Sequence, residues 1–573
     1  MLSPTNVYQM TRRVFIGQPH HRRRSFVNEG WQLFLKPADL HSTNIAFSVQ
    51  SLENHGTAFA LDQHYEGFYT AYFSFVQRPF ANDPRSFLVY RASTKHPITE
   101  RIMVAATTDG VNFHRPVSDI SFKHDDHDMT ANANVLFNDG LPAFAEHNFF
   151  IFKDDNPNSK IELRAIGGTD TTNMEEGGIT RGVQGFHVLP PSDSRQKCLL
   201  EHRCKRSPGK YPKPDTSGLD VMVYEKGILG QWVMNTPSLF LSEDHNSNTI
   251  KTSVFDGQSS AAWDPIKQRY MLWVRTNIKR GKRGTHFAHS KDFKNWSKLS
   301  PVIYPHVNVS CYMINAVPLV ETKYMVAFPQ CYYERSDHKM YMVTSLVYSQ
   351  DGGEKWDFVE SFEKSFNWAK DLPESFPVIL TGYHRSGSGP MASGMYSSTD
   401  RHYVYYHYSK EEVDGTGNVQ RWGVRKHGFV AAEPKDKMED GTLVLGPFSD
   451  DQLRNKKTMH INVVVKKNSW FEMHLMHNDL SVATFKITKP VDEVAYQVHL
   501  NIDKHAVFNE ATGTSKSSLR SDKMSPIERW FEEGVVVQEK EEDDSSDDST
   551  ARNARTVRVR MHGEVKLYGY RFE

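Results

Sequence analysis

A short polar turn followed by an aromatic residue recurs along this chain, and it limits the fold more than any other feature. Residues 290–296 read SKDFKNW, residues 107–113 read TTDGVNF, and Asp351, Gly352 and Trp356 repeat the succession. Asp-Gly supplies the positive φ that a tight hairpin needs, and the aromatic after it can pack back over the sheet edge. Each turn closes a run of strand-like segments. In residues 254–297 these are SSAAW, RYMLWVR and GTHFAHS, joined by the turn DPIKQ and a basic loop. A three-strand unit of this kind cannot bury its apolar faces alone, so it has to stack on others like it.

Five such groups fall between about Thr57 and Glu433. The first holds TAFAL, FYTAYFSF, SFLVYRAS and ERIMVAATTDGVNF. The second holds HNFFIFKDDNP, IELRAIGG, GFHVLPP and LDVMVYEKGILGQW, with Gly227 and Trp232 in the turn and aromatic positions. Residues 254–297 are the third. The fourth holds MINAVPLVE, KYMVAFPQCYY and YMVTSLVYSQDGGEKWDF, and the fifth holds MASGMYSSTD, RHYVYYHYS and RWGVRKHGFVAAE, with Gly428 and Phe429 at the turn. The expected fold class is all-β: a five-bladed β-propeller over residues 51–434, with the first strand of each blade facing a central channel. Beyond it, DGTLVLGPF, TMHINVVVKK, WFEMHLMH, SVATFKIT and TVRVRMHGEVKLYGYRFE alternate without the turn, which predicts a C-terminal β-sandwich over residues 435–573. Residues 539–549, EKEEDDSSDDS, cannot collapse, so a disordered insertion is expected over about 508–555. Residues 1–50 read as a lead-in with a basic arm of Arg12, Arg13, Arg22, Arg23 and Arg24.

Composition bounds the function. Lys plus Arg and Asp plus Glu both number 69, so no global field argues for nucleic acid or an anionic membrane. No apolar run reaches spanning length, and the N-terminus lacks the apolar core of a secretory signal, which predicts a cytoplasmic or particle-associated protein. Cys198, Cys204, Cys311 and Cys331 lack zinc-knuckle spacing; Cys198 and Cys204 are close enough along the chain to close a short disulfide, but free thiols are the main expectation. No P-loop, dinucleotide fingerprint or Gly-x-Ser-x-Gly elbow occurs, so phosphoryl transfer, hydride transfer and esterase chemistry have no support. HDDHD, residues 124–128, has metal-binding residue types, but a solvated loop is the expectation there, and no metal site is assigned.

HYEG at residues 64–67, HNFFIFKDDNP at 147–157, FDGQSSAAWDP at 255–265, INAVPL at 314–319 and RWGVRKHGFVAAE at 421–433 resemble glycoside hydrolase families 32 and 43, the sucrase and furanosidase clan. The similarity runs closest to an uncharacterised bacterial and viral branch labelled "family 32 N-terminal-like" and covers nearly the whole chain. It implies a funnel in which carboxylates at the starts of the inner strands act on a glycosidic bond. One acid protonates the leaving oxygen while another carboxylate attacks or activates water. The chain departs from the clan in having no W-x-N-D-P-N-G sequence, no R-D-P at the middle acid and no Glu-Cys pair.

On that basis Asp256, Glu66 and Glu374 are the candidate catalytic acids, Asp256 foremost because it immediately precedes the inner strand of the third group. His147, Asn148, Gln258, Asn315, Arg283 and Glu334 are candidate substrate-binding residues. Asp264, at the far end of its strand, reads as a turn residue. The expected partner is a carbohydrate substrate or ligand. No nucleic acid, membrane span or cofactor is expected, and a structural cation in the channel is left open. The alternative is a non-catalytic carbohydrate-binding or structural protein, such as a capsid or surface protein, on the same propeller.

Overall fold

The structure is a computed structural model. It describes residues 30–35, 40–50, 52–66, 71–93, 100–117, 122–124, 127–129, 133–137, 147–168, 183–190, 221–222, 229, 232–234, 255, 257–277, 283–303, 309–319, 321–334, 340–344, 346–359, 394–399, 401–410, 417–448, 453, 456, 458–477, 480–499 and 555–573. These residues are nearly all β.

Five antiparallel sheets succeed one another along the chain. Sheet I runs Val135–Phe137, Glu100–Thr107, Ser86–Ser93, Ala71–Val76. Sheet II runs Phe150–Lys153, Leu163–Gly167, Gln184–Val188, Trp232–Met234, Val221–Met222. Sheet III runs Ser260–Asp264, Arg269–Asn277, Arg283–Ser290, Ser300–Pro301, and sheet IV runs Ala316–Pro318, Met325–Ala327, Val347–Ser349, Asp357–Phe358. Sheet V runs Tyr396–Ser397, His402–Lys410, Gly417–Arg425, Glu53–Leu61.

Why the strands are apolar on both faces follows from how the sheets stack. Along one strand of sheet III, Tyr270, Leu272 and Val274 enter the core shared with sheet II, while Met271 and Trp273 enter the core shared with sheet IV. Sheet I repeats this. Its Leu88 and Tyr90 pack toward sheet V, and Phe87 and Val89 pack toward sheet II. Period-2 alternation thus feeds two cores from one strand, and a sheet covered on both faces reads as a continuous apolar run.

Glu53–Leu61 departs from the expectation. Sequence order places its TAFAL segment in the first group, yet it pairs with Gly417–Arg425 as the fourth strand of sheet V, with Phe59 opposite Val419. Phe59 and Leu61 then share a core with Phe73 and Tyr90 of sheet I and Tyr396 and Tyr406 of sheet V, so the last sheet packs on the first. Phe328 and Tyr405, with ring centroids 4.6 Å apart, join sheets IV and V.

The recurring turn is a carboxylate bonded to its own loop. Asp109 Oδ1 accepts the amides of Val111 and Asn112 at 2.8 Å, and Asp292 Oδ1 accepts those of Lys294 and Asn295 at 2.9 and 2.8 Å. Asp351 does the same for Glu354 and Lys355 at 3.1 Å. The residue after the aspartate holds a positive φ in all three: 75° at Gly110, 62° at Phe293 and 80° at Gly352. Burial works against the charges of Asp109 and Asp292, but the amide donors outweigh it, holding Asp109 well below the usual carboxylate range and Asp292 at about 2.

Two further sheets close the chain. One holds Ile45–Val49, Val430–Pro434, Val565–Phe572, Thr458–Val465 and Val491–His499, with Gln32–Leu33 on Val565–Phe572. The other holds His41–Thr43, Gly441–Phe448, Arg555–His562, Trp470–His477 and Leu480–Ile487. Their inward residues, Val463 and Leu567 from one and Phe471 and Val559 from the other, lie in one core. Residues 30–50 therefore supply strands to the C-terminal sheets, and Val430–Pro434, assigned to the fifth group, pairs there too. The acidic run 539–549 and all five arginines of the basic arm lie outside the described residues.

Cys311 is disulfide-bonded, against the expectation of a free thiol, and the residue opposite it in register is Cys331. Spacing along the chain could not show this, because the pairing of strands Val309–Met313 and Gln330–Glu334 creates it.

Candidate functional site

A belt of polar residues crosses four sheets at the N-terminal ends of their first strands. Those strands touch in succession: Ala71–Val76 with Phe150–Lys153, that with Ser260–Asp264, and that with Ala316–Pro318. Asn148, fully buried just before the first strand of sheet II, is the central bond-maker. Its amide donates to the carbonyls of Phe255 at 2.7 Å, Gly257 at 3.1 Å and Gly168 at 2.8 Å, and its oxygen accepts the Gly168 amide at 2.6 Å. One side chain thereby grips the backbone on both sides of Asp256.

The belt continues on either hand. Gln258 donates to the Phe149 carbonyl at 3.4 Å, and its own amide meets the Met313 sulfur at 3.2 Å. Ser260 bonds the Ile314 carbonyl, next to the buried Asn315. Phe255 holds a φ of 64° with its ring fully buried. A bulky residue in the left-handed region costs about 1–2 kcal/mol, so the loop is pinned against a local preference.

At the sheet I end stands a charged cluster. Glu100 lies 2.9 Å from His147 Nδ1 and 3.3 Å from Arg91 Nη1. Arg91 also reaches the His147 carbonyl at 3.1 Å, and its guanidinium sits 4.6 Å from the centroid of the Tyr72 ring. A quarter of the His147 side chain is exposed, so the imidazole meets solvent while its carboxylate partner stays mostly covered. A carboxylate behind a partly exposed imidazole can hold or move a proton.

Glu66 lies elsewhere, buried between sheets I and V. Its carboxylate accepts the Tyr90 hydroxyl at 2.6 Å and Arg115 Nε and Nη2 at 3.0 and 2.9 Å. Burial works against the Arg115 cation, but the bonds and charge of Glu66 outweigh it and raise its pKa. Burial, then the charge of Glu66, pushes the Tyr90 phenol well above its ordinary value. A carboxylate held by a two-pronged arginine and a phenol is fixed in place.

The other sequence candidates are placed only in part. Asp256 and Glu374 lie outside the described residues. Arg283 opens the strand Arg283–Ser290 and Glu334 ends Gln330–Glu334, on sheet III and on a three-stranded sheet leading into sheet IV. Asp264 accepts the amides of Ile266 at 2.9 Å and Lys267 at 3.3 Å, a turn role at the far end of its strand. In HDDHD, His124 and His127 are register partners of a two-stranded hairpin. Among the described residues no group of three His, Cys, Asp or Glu could hold a metal ion. Sequence reasoning missed Arg91, Glu100 and Arg115. The available signal was charge inside apolar strand runs, as in SFLVYRAS.

No protein-family model matches the chain, and no curated protein matches it. Among solved structures, an N-acetylgalactosamine deacetylase from F. plautii, in complex with blood group B trisaccharide, is similar at 12% identity over 67% of this chain and 96% of that one, with a TM-score of 0.37. A mannose phosphorylase from Leishmania mexicana is similar at 10% identity over 66% and 89%, with a TM-score of 0.34. Fructan 1-exohydrolase IIa from Cichorium intybus is similar at 11% identity over 75% and 69%, with a TM-score of 0.33. Likeness at this level carries no argument about chemistry, which rests on this chain's own side chains.

Proposed function

We propose that the chain is a glycoside hydrolase built on a five-bladed β-propeller with a C-terminal β-sandwich, and that the polar belt is its active site. Alternate residues feeding two cores, and Glu53–Leu61 joining the last sheet to the first, support the ring. The main support for the site is the grip of Asn148 on Phe255 and Gly257, which spends a buried amide on the two residues flanking Asp256.

Asp256 is the carboxylate that attacks the anomeric carbon or activates water. The His147–Glu100 pair delivers the proton to the leaving oxygen, with Glu374 the other acid named from sequence. Gln258 and Asn315 bind hydroxyls. Glu66, held by Arg115 and Tyr90, keeps sheets I and V in register. A furanoside is the sugar class suggested by the sequence resemblance alone.

One observation favours binding without cleavage: Glu66 and Glu100 are both ion-paired to arginines. A panel of aryl glycosides and polysaccharides, assayed for turnover and for binding with wild type and Asp256→Asn, separates the readings. Hydrolysis by wild type that Asp256→Asn abolishes, with unchanged Tm and retained binding, is the expected result. Binding by wild type without turnover would replace hydrolysis with recognition. No binding and no turnover across the panel would remove the carbohydrate reading.

A further inference from the structure

The outward face of the second C-terminal sheet has a construction that the channel does not account for. Along Arg555–His562, Val557, Val559 and Met561 are buried in the core, while Arg558, Arg560 and His562 occupy the opposite face. Cross-strand rows extend it. Trp470 stands opposite His562, Glu472 lies between Arg560 and Lys486, and His474 lies between Arg558 and Thr484.

The cations in these rows are held in place. His562 stacks on Trp470 at 5.8 Å, with Lys486 Nζ 4.7 Å and Arg560 Cζ 5.4 Å from the Trp470 centroid. Glu472 alone serves Arg560 at 3.3 Å, His474 at 3.2 Å and Lys486 at 3.8 Å. Asp440 serves Arg560 at 2.7 Å and His562 at 3.0 Å. Arg558 is exposed and has no ion pair among the described residues. On this face Arg558, Arg560 and Lys486, joined by two histidines, outnumber the carboxylates Glu472 and Asp440.

We infer that this face binds an anionic polysaccharide bearing sulfate or carboxylate groups, laid along Arg555–His562. Charge complementarity selects the partner. Arg558, about 6.7 Å from Arg560 on one side of the strand, presents a forked donor suited to both anions, while the Arg560 fork is shared with Glu472 and Asp440 and adds its charge beside it. A single anion gains little on an exposed surface, so a polymer that repeats the contact fits better than a small ion. Balanced charge over the whole chain lacks the broad basic field that nucleic acid asks for. The choice of a saccharide polymer rests on the carbohydrate reading above, but the site is independent of Asp256.

The test is affinity electrophoresis of the full chain through gels containing dextran sulfate, polygalacturonate or neutral dextran. Wild type and Asp256→Asn should be retarded alike by the two charged polymers, not by neutral dextran, and the effect should fade as salt shortens the screening length. Arg558→Gln, at an exposed position and checked for an unchanged Tm, should weaken retardation about two- to fivefold. Arg560→Gln, checked for an unchanged Tm, should do the same. Equal retardation by neutral dextran, no effect of Arg558→Gln, or stronger retardation by duplex DNA would overturn the inference. So would retardation seen only after the seven acids of residues 539–549 are changed to amides, since the chain's own acidic run would then be the occupant.

Discussion

Asn148 holds Phe255 by a 2.7 Å hydrogen bond from its side-chain amide to the Phe255 carbonyl, joining the segments that lead into the first strands of two sheets at the edge of the proposed site. Four hydrogen bonds, all in a dry setting, depend on this one residue. Replacing it removes a donor from three carbonyls and an acceptor from one amide. Asn148→Ala should lower stability by about 2–4 kcal/mol, measured by urea unfolding. Asn148→Asp should be no better, because its carboxylate oxygen would face carbonyls. A change under about 0.5 kcal/mol would show that water replaces the amide without loss.

The pairing of Glu66 with Arg115 predicts a stability phenotype and no specific loss of turnover. Glu66→Gln keeps the shape but removes the charge opposite a mostly covered guanidinium, and should cost about 2–4 kcal/mol in the unfolding free energy. Folded Glu66→Gln protein should retain whatever turnover wild type has at 20 °C or about that temperature. Selective loss of turnover with an unchanged Tm would return Glu66 to the catalytic group.

Phe293 occupies a position where the equivalent turns have glycine, with a φ of 62° and a fully buried ring. Phe293→Ala should cost about 3–5 kcal/mol through the lost ring. Phe293→Gly removes one more carbon yet relieves the left-handed backbone, so it should be as stable as Phe293→Ala or more so, by up to about 1 kcal/mol. Chemical denaturation of the two variants checks the order. A Gly variant clearly weaker than the Ala variant would show that the turn relaxes.

His427 predicts acid sensitivity well above the carboxylate range. It is buried against Trp31, ring centroids 5.1 Å apart, with the Tyr403 hydroxyl 3.2 Å from Nδ1. Burial, then the charges of Arg571 and Lys426, lowers its pKa from 6.5 to about 3. The folded value lies below the unfolded one, so the unfolded chain takes up the proton first. Stability is therefore full above about pH 6.5 and falls as pH drops toward 3, by an amount on the order of 4 kcal/mol. His427→Gln should flatten this part of the stability–pH curve, and a curve parallel to wild type between pH 6.5 and 4 would show that His427 contributes nothing to it.

The strands and the recurring turns were readable, because alternation and turn chemistry are local. SSAAW, RYMLWVR and GTHFAHS appear as strands where expected, and Asp109, Asp292 and Asp351 close their loops. What misled was membership. TAFAL and the GFVAAE segment were read as strands, but sequence order assigned them to the wrong sheets. Arg115 and Glu100 were missed because their partners, Glu66 and His147, are 49 and 47 residues away.

By itself, then, the sequence determined an all-β chain of repeated hairpin units, since side-chain period and turn residues act within a few positions. Only the tertiary structure decided that Glu53–Leu61 joins the last sheet to pack on the first, that Cys311 is bonded, and that Asn148 grips the residues on either side of Asp256. Those outcomes depend on which distant strands share a core, and a local pattern compatible with many pairings does not specify one.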